Sequence, residues 1–309
     1  MTEQIALLTD IFVRATPLIL TGLAVSLAFK TGILNIGAEG QLLAGATAAA
    51  AIGVLLGPSL GFITIPIALI LGAIMGGVWS AIAAYLRARF NVLEVISTIM
   101  LNFIALYGVS YVVRGPLQES THIYPQTEVI STAARLPRLI SGTRLHWGFL
   151  LALLIAVTLW WVIRYTAVGF RIRATGANAH AARSAGLIDT ARVTFTTFIV
   201  SGMLAGLAGA IEVSGVTFAL YENISPGYGY TAIAVALLAG LNPLGVIATG
   251  ILFGALEAGA NALQRDANIP STLASVIEAA IILFVIAISQ IRLRRKSTGS
   301  MFAFGRGEQ

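Results

Sequence analysis

Hydrophobic positions in this chain come in long blocks. Apolar runs of about 20 residues, the length that crosses a bilayer as a helix, lie at 10–29, 33–56, 62–86, 92–113, 147–164, 193–215, 244–262 and 272–291. A further apolar segment, 230–241, is too short to cross about 30 Å of hydrocarbon as a helix, and Asn242-Pro243 ends it. It reads as a broken or re-entrant helix, or as a short crossing whose ends lie in protein. The predicted fold class is therefore all-α: a polytopic transmembrane helical bundle of about nine spans, eight to ten, in one domain over 1–309. Two long loops, 114–146 and 165–192, and a tail, 292–309, punctuate it.

Composition agrees. Of 309 residues, 57% are hydrophobic and 10% charged, against about 25% charged in a soluble domain, and the mean hydropathy is +0.89. A soluble protein is excluded. The net charge of +6 would suggest nucleic acid in a soluble chain, but here its distribution matters more. With nine crossings and an external N-terminus, 13 of the 19 Lys and Arg residues fall inside, as the positive-inside rule requires. Arg114, Arg135, Arg138, Arg144 and Arg265 fall outside. On this topology 114–146 is external, 165–192 and the tail are cytoplasmic, and the C-terminus is inside. The first run has no basic segment before it and contains Asp10 and Arg14, so it is expected to stay in the protein rather than be cleaved as a signal.

Three GxxxG pairs, Gly72/Gly76, Gly202/Gly206 and Gly250/Gly254, predict close helix packing. Candidate chemistry is sparse. There is no cysteine, His122, His146 and His180 fall in loops, and no HExxH or hydrolytic triad assembles. The lysines in AFKT and RRKS lack the glycines of a phosphate-cradling loop, so a motor driven by ATP would be another subunit. No catalytic or metal site is expected. Glu39, Glu94, Glu212, Glu257 and Glu278 lie at membrane depth, where a charge is costly and faces a cavity or a partner. Glu39 stands out. It lies in TGILNIGAEGQ (31–41), where glycines and the polar Asn35, Glu39 and Gln41 interrupt an apolar span, and broken polar helices are how transporters expose backbone to a path. Glu94, Thr98 and Asn102 share one helical face by four-residue spacing. That face lines the same path or binds a neighbouring helix.

Four runs in order, GILNIGAEGQLLAGA, FNVLEVISTIMLNFIA, GFRIRATGANAHAARSAGL and SPGYGYTAIAVALLAGLNPLG, resemble the permease subunits of bacterial ABC importers of the ribose, nucleoside and branched-chain amino acid group. NIGAEGQ and EVISTIMLNFIA are most similar to the nucleoside-type permeases. The chain departs from ribose-type members at NIGAEGQ and lacks their additional N-terminal helix. The resemblance implies a multi-pass protein of the bacterial cytoplasmic membrane, paired with a second homologous permease. It also implies a cytoplasmic ABC ATPase that holds ATP and Mg, an external substrate-binding lipoprotein, no cofactor in this chain and no nucleic-acid partner. It further implies a translocation path, near which Asn35, Glu39, Gln41 and Asn102 are expected. Phe218, Tyr221, Tyr228 and Tyr230 are candidates for an outer gate, with membrane-interface anchoring as their other reading. Arg114, Arg135, Arg138 and Arg144 are candidates to meet acids on the binding protein, with a solvated loop as the other reading. In the cytoplasmic loop, Gly176, Ala177, Asn178, Ala181, Ala182, Arg183 and Gly186 form the candidate coupling element. Asn178 is the expected N-cap of a helix from 179 to 184, small alanines let it sit in a groove, Arg183 reaches an acidic partner, and Gly186 stops it. The alternatives are an ion-coupled secondary transporter, whose acids would bind H⁺ or Na⁺, or an ABC permease for a simple sugar or branched-chain amino acid.

Overall fold

A computed structural model describes residues 2–184, 186 and 188–267, with the single positions 276, 279, 280 and 284. The span expected at 272–291, including Glu278, and the tail 292–309 lie outside the described residues apart from those four positions. The chain divides into two compact units, 1–255 and 256–309. The bundle below is the first.

Its helices in order are α1 (Thr2–Lys30), α2 (Ala38–Leu55), α3 (Gly57–Leu60), α4 (Thr64–Phe90), α5 (Glu94–Arg114), α6 (Gly148–Tyr165), α7 (Ala167–Ala177), α8 (Ala179–Ser184), α9 (Thr190–Glu212), α10 (Tyr228–Leu238) and α11 (Pro243–Ala267). The last of these runs on into the second unit. Among the described residues seven helices are long and apolar enough to cross a membrane, and the shorter apolar α10 adds to them. They match seven of the eight long runs in the sequence.

The centre is built by glycine. α2, α4 and α9 pack on one another so closely that a Cβ on Gly206 would overlap Gly72 and Gly76, and one on Gly45 would overlap Gly206. The two predicted pairs Gly72/Gly76 and Gly202/Gly206 thus face each other, bringing two backbones into contact where no hydrophobic effect drives helices together. Gly250 and Gly254 set α11 against Ile19, Ile11 and Ala15 of α1 in the same way. The charged pair in α1 is self-compensated, since Arg14 Nε binds Asp10 Oδ2 at 3.0 Å one turn away. By contrast α4, α5 and α6 keep broad exposed apolar faces, as lipid or partner helices require.

α5 serves as a ruler for depth. It is about 31 Å long at 1.5 Å per residue. Its first residue, Glu94, pairs with Arg87 at 2.6 Å, and its last, Arg114, pairs with Glu222 at 2.7 Å. Between them Asn102 Nδ2 donates to Tyr230 Oη at 3.3 Å. At the Glu94 end, Leu34 N donates to Glu94 Oε1 next to Lys30, whose Nζ donates to the carbonyl of Leu241 at 2.9 Å. The segment 222–241 meets α5 at Arg114 through Glu222 and at Asn102 through Tyr230, and α10 packs chiefly on α1 and α2. It is an irregular stretch, 219–227, followed by the short helix α10, so the short apolar segment is an interrupted helix. Irregular backbone at this depth requires polar groups supplied by protein, and the site supplies them.

Candidate functional site

Two chain breaks meet beside Asn102, midway along α5. The tract 31–37 is unwound before α2, and 219–227 is unwound before α10, so each break leaves the first-turn N–H groups of a helix without intrahelical partners. Glu39 Oε2 accepts from Gly229 N at 2.7 Å. Ser225 Oγ accepts from Gly227 N at 3.2 Å and Tyr228 N at 3.1 Å. The carboxylate thus stands in the first turn of α2 and caps the first turn of α10. A negative group is favoured at both positions by the helix dipoles. Gly229 is required by proximity, because a Cβ there would run into the backbone of Glu39.

Asn35, Gln41 and Asn102 complete the joint. Asn35 and Gln41 exchange amide hydrogen bonds at 3.1 and 3.0 Å. Asn35 also donates to Ser201 Oγ of α9 at 3.0 Å, and Ser201 donates to the Ala24 carbonyl at 2.7 Å. Asn102 Oδ1 accepts from Gly40 N at 2.8 Å, while its Nδ2 donates to the Ile36 carbonyl at 2.9 Å and to Tyr230. All four predicted path residues come together, each less than 10% exposed; Asn35, Glu39 and Asn102 hold interrupted backbone directly, and Gln41 braces Asn35. The Glu94, Thr98 and Asn102 face of α5 packs on this tract: Thr98 lies against Gly37 and Glu94 binds Leu34 N and Arg87.

The family described as branched-chain amino acid transport system / permease component matches residues 7–286. This chain belongs to that family. The permease is 42% identical to the guanosine ABC transporter permease protein NupP of Bacillus subtilis, with 90% of this chain and 80% of the relative covered. It is 37% identical to the glucose ABC transporter permease protein TsgB13 of Haloferax volcanii, over 93% and 77%. It is 33% identical to the nucleoside ABC transporter permease protein NupB of Lactococcus lactis, over 87% and 76%. No solved structure matches the permease.

The four aromatic residues proposed as a gate differ in their surroundings. Phe218 carries the Arg135 guanidinium 4.8 Å above its ring, and Tyr228 is buried. Tyr221 pairs with Gln126 of the long loop, and Tyr230 rests on Asn102. Tyr221 and Tyr230 keep exposed surface, 37% and 45%.

At the other end the predicted coupling helix forms as α8. Asn178 Oδ1 accepts from His180 N and Ala181 N, both at 3.0 Å, and Gly186 adopts φ 73° while its N–H closes on the Arg183 carbonyl at 3.0 Å. Ala177, Asn178, Ala181 and Arg183 are exposed. Ala182 is buried at 8% and packs inward instead, and Gly176 abuts the Lys30 carbonyl at the end of α1. α7, capped by Thr166 Oγ1 on Gly169 N at 3.2 Å, precedes it. The sequence reading passed over α7, although Thr166, four residues before Phe170, is a visible cap signal.

The 114–146 loop is an ordered lid. Thr127 N donates to the Leu220 carbonyl and Ile130 N to that of Phe218, both at 2.8 Å, and Leu136 N donates to the Ser214 carbonyl at 2.8 Å. Buried Ile130, Leu136 and Leu145 fasten it further. Of its arginines, Arg114 is forked onto Glu222 at 2.7 and 2.9 Å, and Ser110 donates to the same carboxylate. These contacts tie Glu222 to the last turns of α5. Arg135 lies on Phe218, whereas Arg138 and Arg144 are exposed. His146 is 1% exposed and its Nδ1 accepts from Gly148 N at 3.2 Å. Burial first, and the neighbouring Arg144 second, push its pKa down to about 4.

Proposed function

We propose that this permease forms the membrane path of an ATP-driven importer for nucleosides. The observation that carries the reading is the interrupted segment 219–238, whose unwound stretch and short helix are clamped by Glu39 and Asn102. Such interrupted helices are the way transport proteins bring polar backbone to a solute at the bilayer midplane. The relatives named for guanosine and for nucleosides support the solute class. On this reading Asn35, Glu39, Gln41 and Asn102 shape the wall of the path from behind, and Tyr221 and Tyr230 offer rings to an entering base. Stacking on such rings is worth about 1–3 kcal/mol per base in single-strand binding sites.

The partners are a cytoplasmic ABC ATPase with its ATP and Mg, an external binding protein and a second, related permease. α8, a six-residue helix too short to hold alone in water, is the surface for the ATPase. Bacillus subtilis has two guanosine permeases matched by this chain, at 42% and 26% identity, which supports a heteromeric pair. The protein sits in the cytoplasmic membrane with its N-terminus outside and the 165–192 loop inside, the orientation that the basic residues favour.

Uptake of labelled guanosine by cells expressing the permease with its partner subunits tests the reading. Uptake should cease when the ATPase subunit is disabled, persist with an ionophore, and be competed by other nucleosides. Ionophore sensitivity with indifference to the ATPase would instead establish an ion-coupled carrier. The glucose-named relative favours one second reading, a sugar permease, and competition by glucose but not by nucleosides would select it.

A further inference from the structure

Beside α8 lies a cavity of about 230 Å³ between the last turns of α4, α8 and the first turns of α9. Its lining is divided by chemistry. Ala84, Ala88, Phe195 and Phe198 give it an apolar floor, and Arg87, Asn91, Arg183, Thr190 and Thr194 give it a cationic and hydrogen-bonding side. The volume is below the roughly 300–1,000 Å³ of pockets for drug-sized ligands, so a whole nucleoside does not belong there and a smaller group does. Arg87 has one partner in Glu94 at 2.6 Å, yet a guanidinium has five donors. Arg183 has no ion pair among the described residues. Two guanidiniums with spare donors select a phosphate, which accepts such forks bidentately.

The surroundings indicate where that phosphate comes from. Tyr85 and Phe90 of α4, 55% and 62% exposed, meet edge to face at 6.1 Å. Trp160 and Tyr165 make the same contact at 5.6 Å at the corresponding end of α6. Exposed aromatic rings beside a row of arginines mark the headgroup level of a bilayer, and basic pockets between helices at that level take anionic headgroups.

We propose that this cavity binds the phosphate of an anionic phospholipid, with Arg87 and Arg183 as its ligands and the Phe195 and Phe198 floor against the glycerol end. A lipid there touches both α4 and α8, so it sets the position of the coupling helix against the bundle.

The test uses the intact importer complex in nanodiscs of phosphatidylcholine with or without phosphatidylglycerol, read by native mass spectrometry and by substrate-stimulated ATPase activity. Phosphatidylglycerol should be retained by the wild-type complex and raise coupled activity. Arg183→Gln should weaken retention about tenfold, the loss of one charge-assisted hydrogen bond, and Ala191→Leu, at a residue that also lines the cavity, should block it by filling the space. Because Arg183 also belongs to the coupling element, its variant is read by lipid retention at unchanged thermal stability, and Ala191→Leu, outside α8, separates loss of lipid from loss of an ATPase contact. If inorganic phosphate in neutral nanodiscs reproduces the activation, the phosphate site stands with a soluble source. Equal retention of phosphatidylglycerol by wild type and both variants overturns the proposal. So does restoration of an Arg183→Glu complex by a charge-reversed residue on the ATPase, which would make Arg183 a protein contact.

Discussion

Glu39 carries the sharpest prediction, because clamp and ion site are separated by two substitutions. In Glu39→Ala the Gly229 N–H loses its 2.7 Å acceptor at a site where Glu39 itself is 7% exposed. An unsatisfied buried donor costs about 1–3 kcal/mol, and loss of a negative group at helix N-termini adds about 0.3–1 kcal/mol for each helix. The sum, about 2–5 kcal/mol, is a factor of roughly 30 to 4,000 in the equilibrium holding α10 to α2. Glu39→Gln keeps an acceptor at the same place and loses only the charge-dependent part, about 1–2 kcal/mol. Purified complexes should therefore show a half-inactivation temperature that falls in the order wild type, Gln, Ala, with guanosine uptake per assembled complex following the same order. If Gln abolishes uptake as fully as Ala while both keep wild-type thermal stability, Glu39 binds an ion or solute and the clamp argument is wrong.

Gly206→Leu should prevent α4 and α9 from meeting, at the upper end of the roughly 1–3 kcal/mol for overpacking or beyond it. Almost no permease should be recovered in membranes, and normal recovery would refute the packing. Asn178→Ala should remove about 1 kcal/mol from the α8 cap and lower uptake modestly. Ala181→Trp, on the exposed side, should uncouple ATP hydrolysis from uptake without loss of the assembled permease, whereas Ala182→Trp, facing inward, should reduce its amount. His146 has the sign of a buried neutral imidazole: its folded pKa of about 4 lies below the unfolded value near 6.5. The unfolded chain therefore takes up the proton first as pH falls. Stability is complete above about pH 6.5 and is lost toward pH 4, by about 3 kcal/mol in all. Thermal unfolding across that window should steepen for wild type and flatten for His146→Gln, and identical slopes would contradict it.

Much of this molecule was readable as a string. Span length and apolarity are local properties set by bilayer thickness, so 10–29, 62–86, 92–113 and 244–262 reappear as α1, α4, α5 and α11 with shifts of a turn or two at most sites. Caps are local as well: Asn178 and Gly186 lie within three residues of the groups they bind, and α8 appears where they require it. GxxxG spacing announced close approach, because it depends only on helical periodicity. What spacing could not supply is the partner. That Gly206 meets Gly72 and Gly76, that Asn35 reaches Ser201, and that Glu39 caps a helix 190 residues away are long-range facts, decided when three helices pack and two broken ones must satisfy their orphaned N–H groups together. The same holds for the lid. Polar loop composition says nothing of Thr127 pairing with Leu220 or of Arg135 over Phe218, since those contacts exist only once α9 and the interrupted segment present their ends. The sequence marked Glu39, Asn35, Gln41 and Asn102 as unusual, because polar groups at membrane depth must be satisfied within the protein. Tertiary structure alone made them the joint between two interrupted helices.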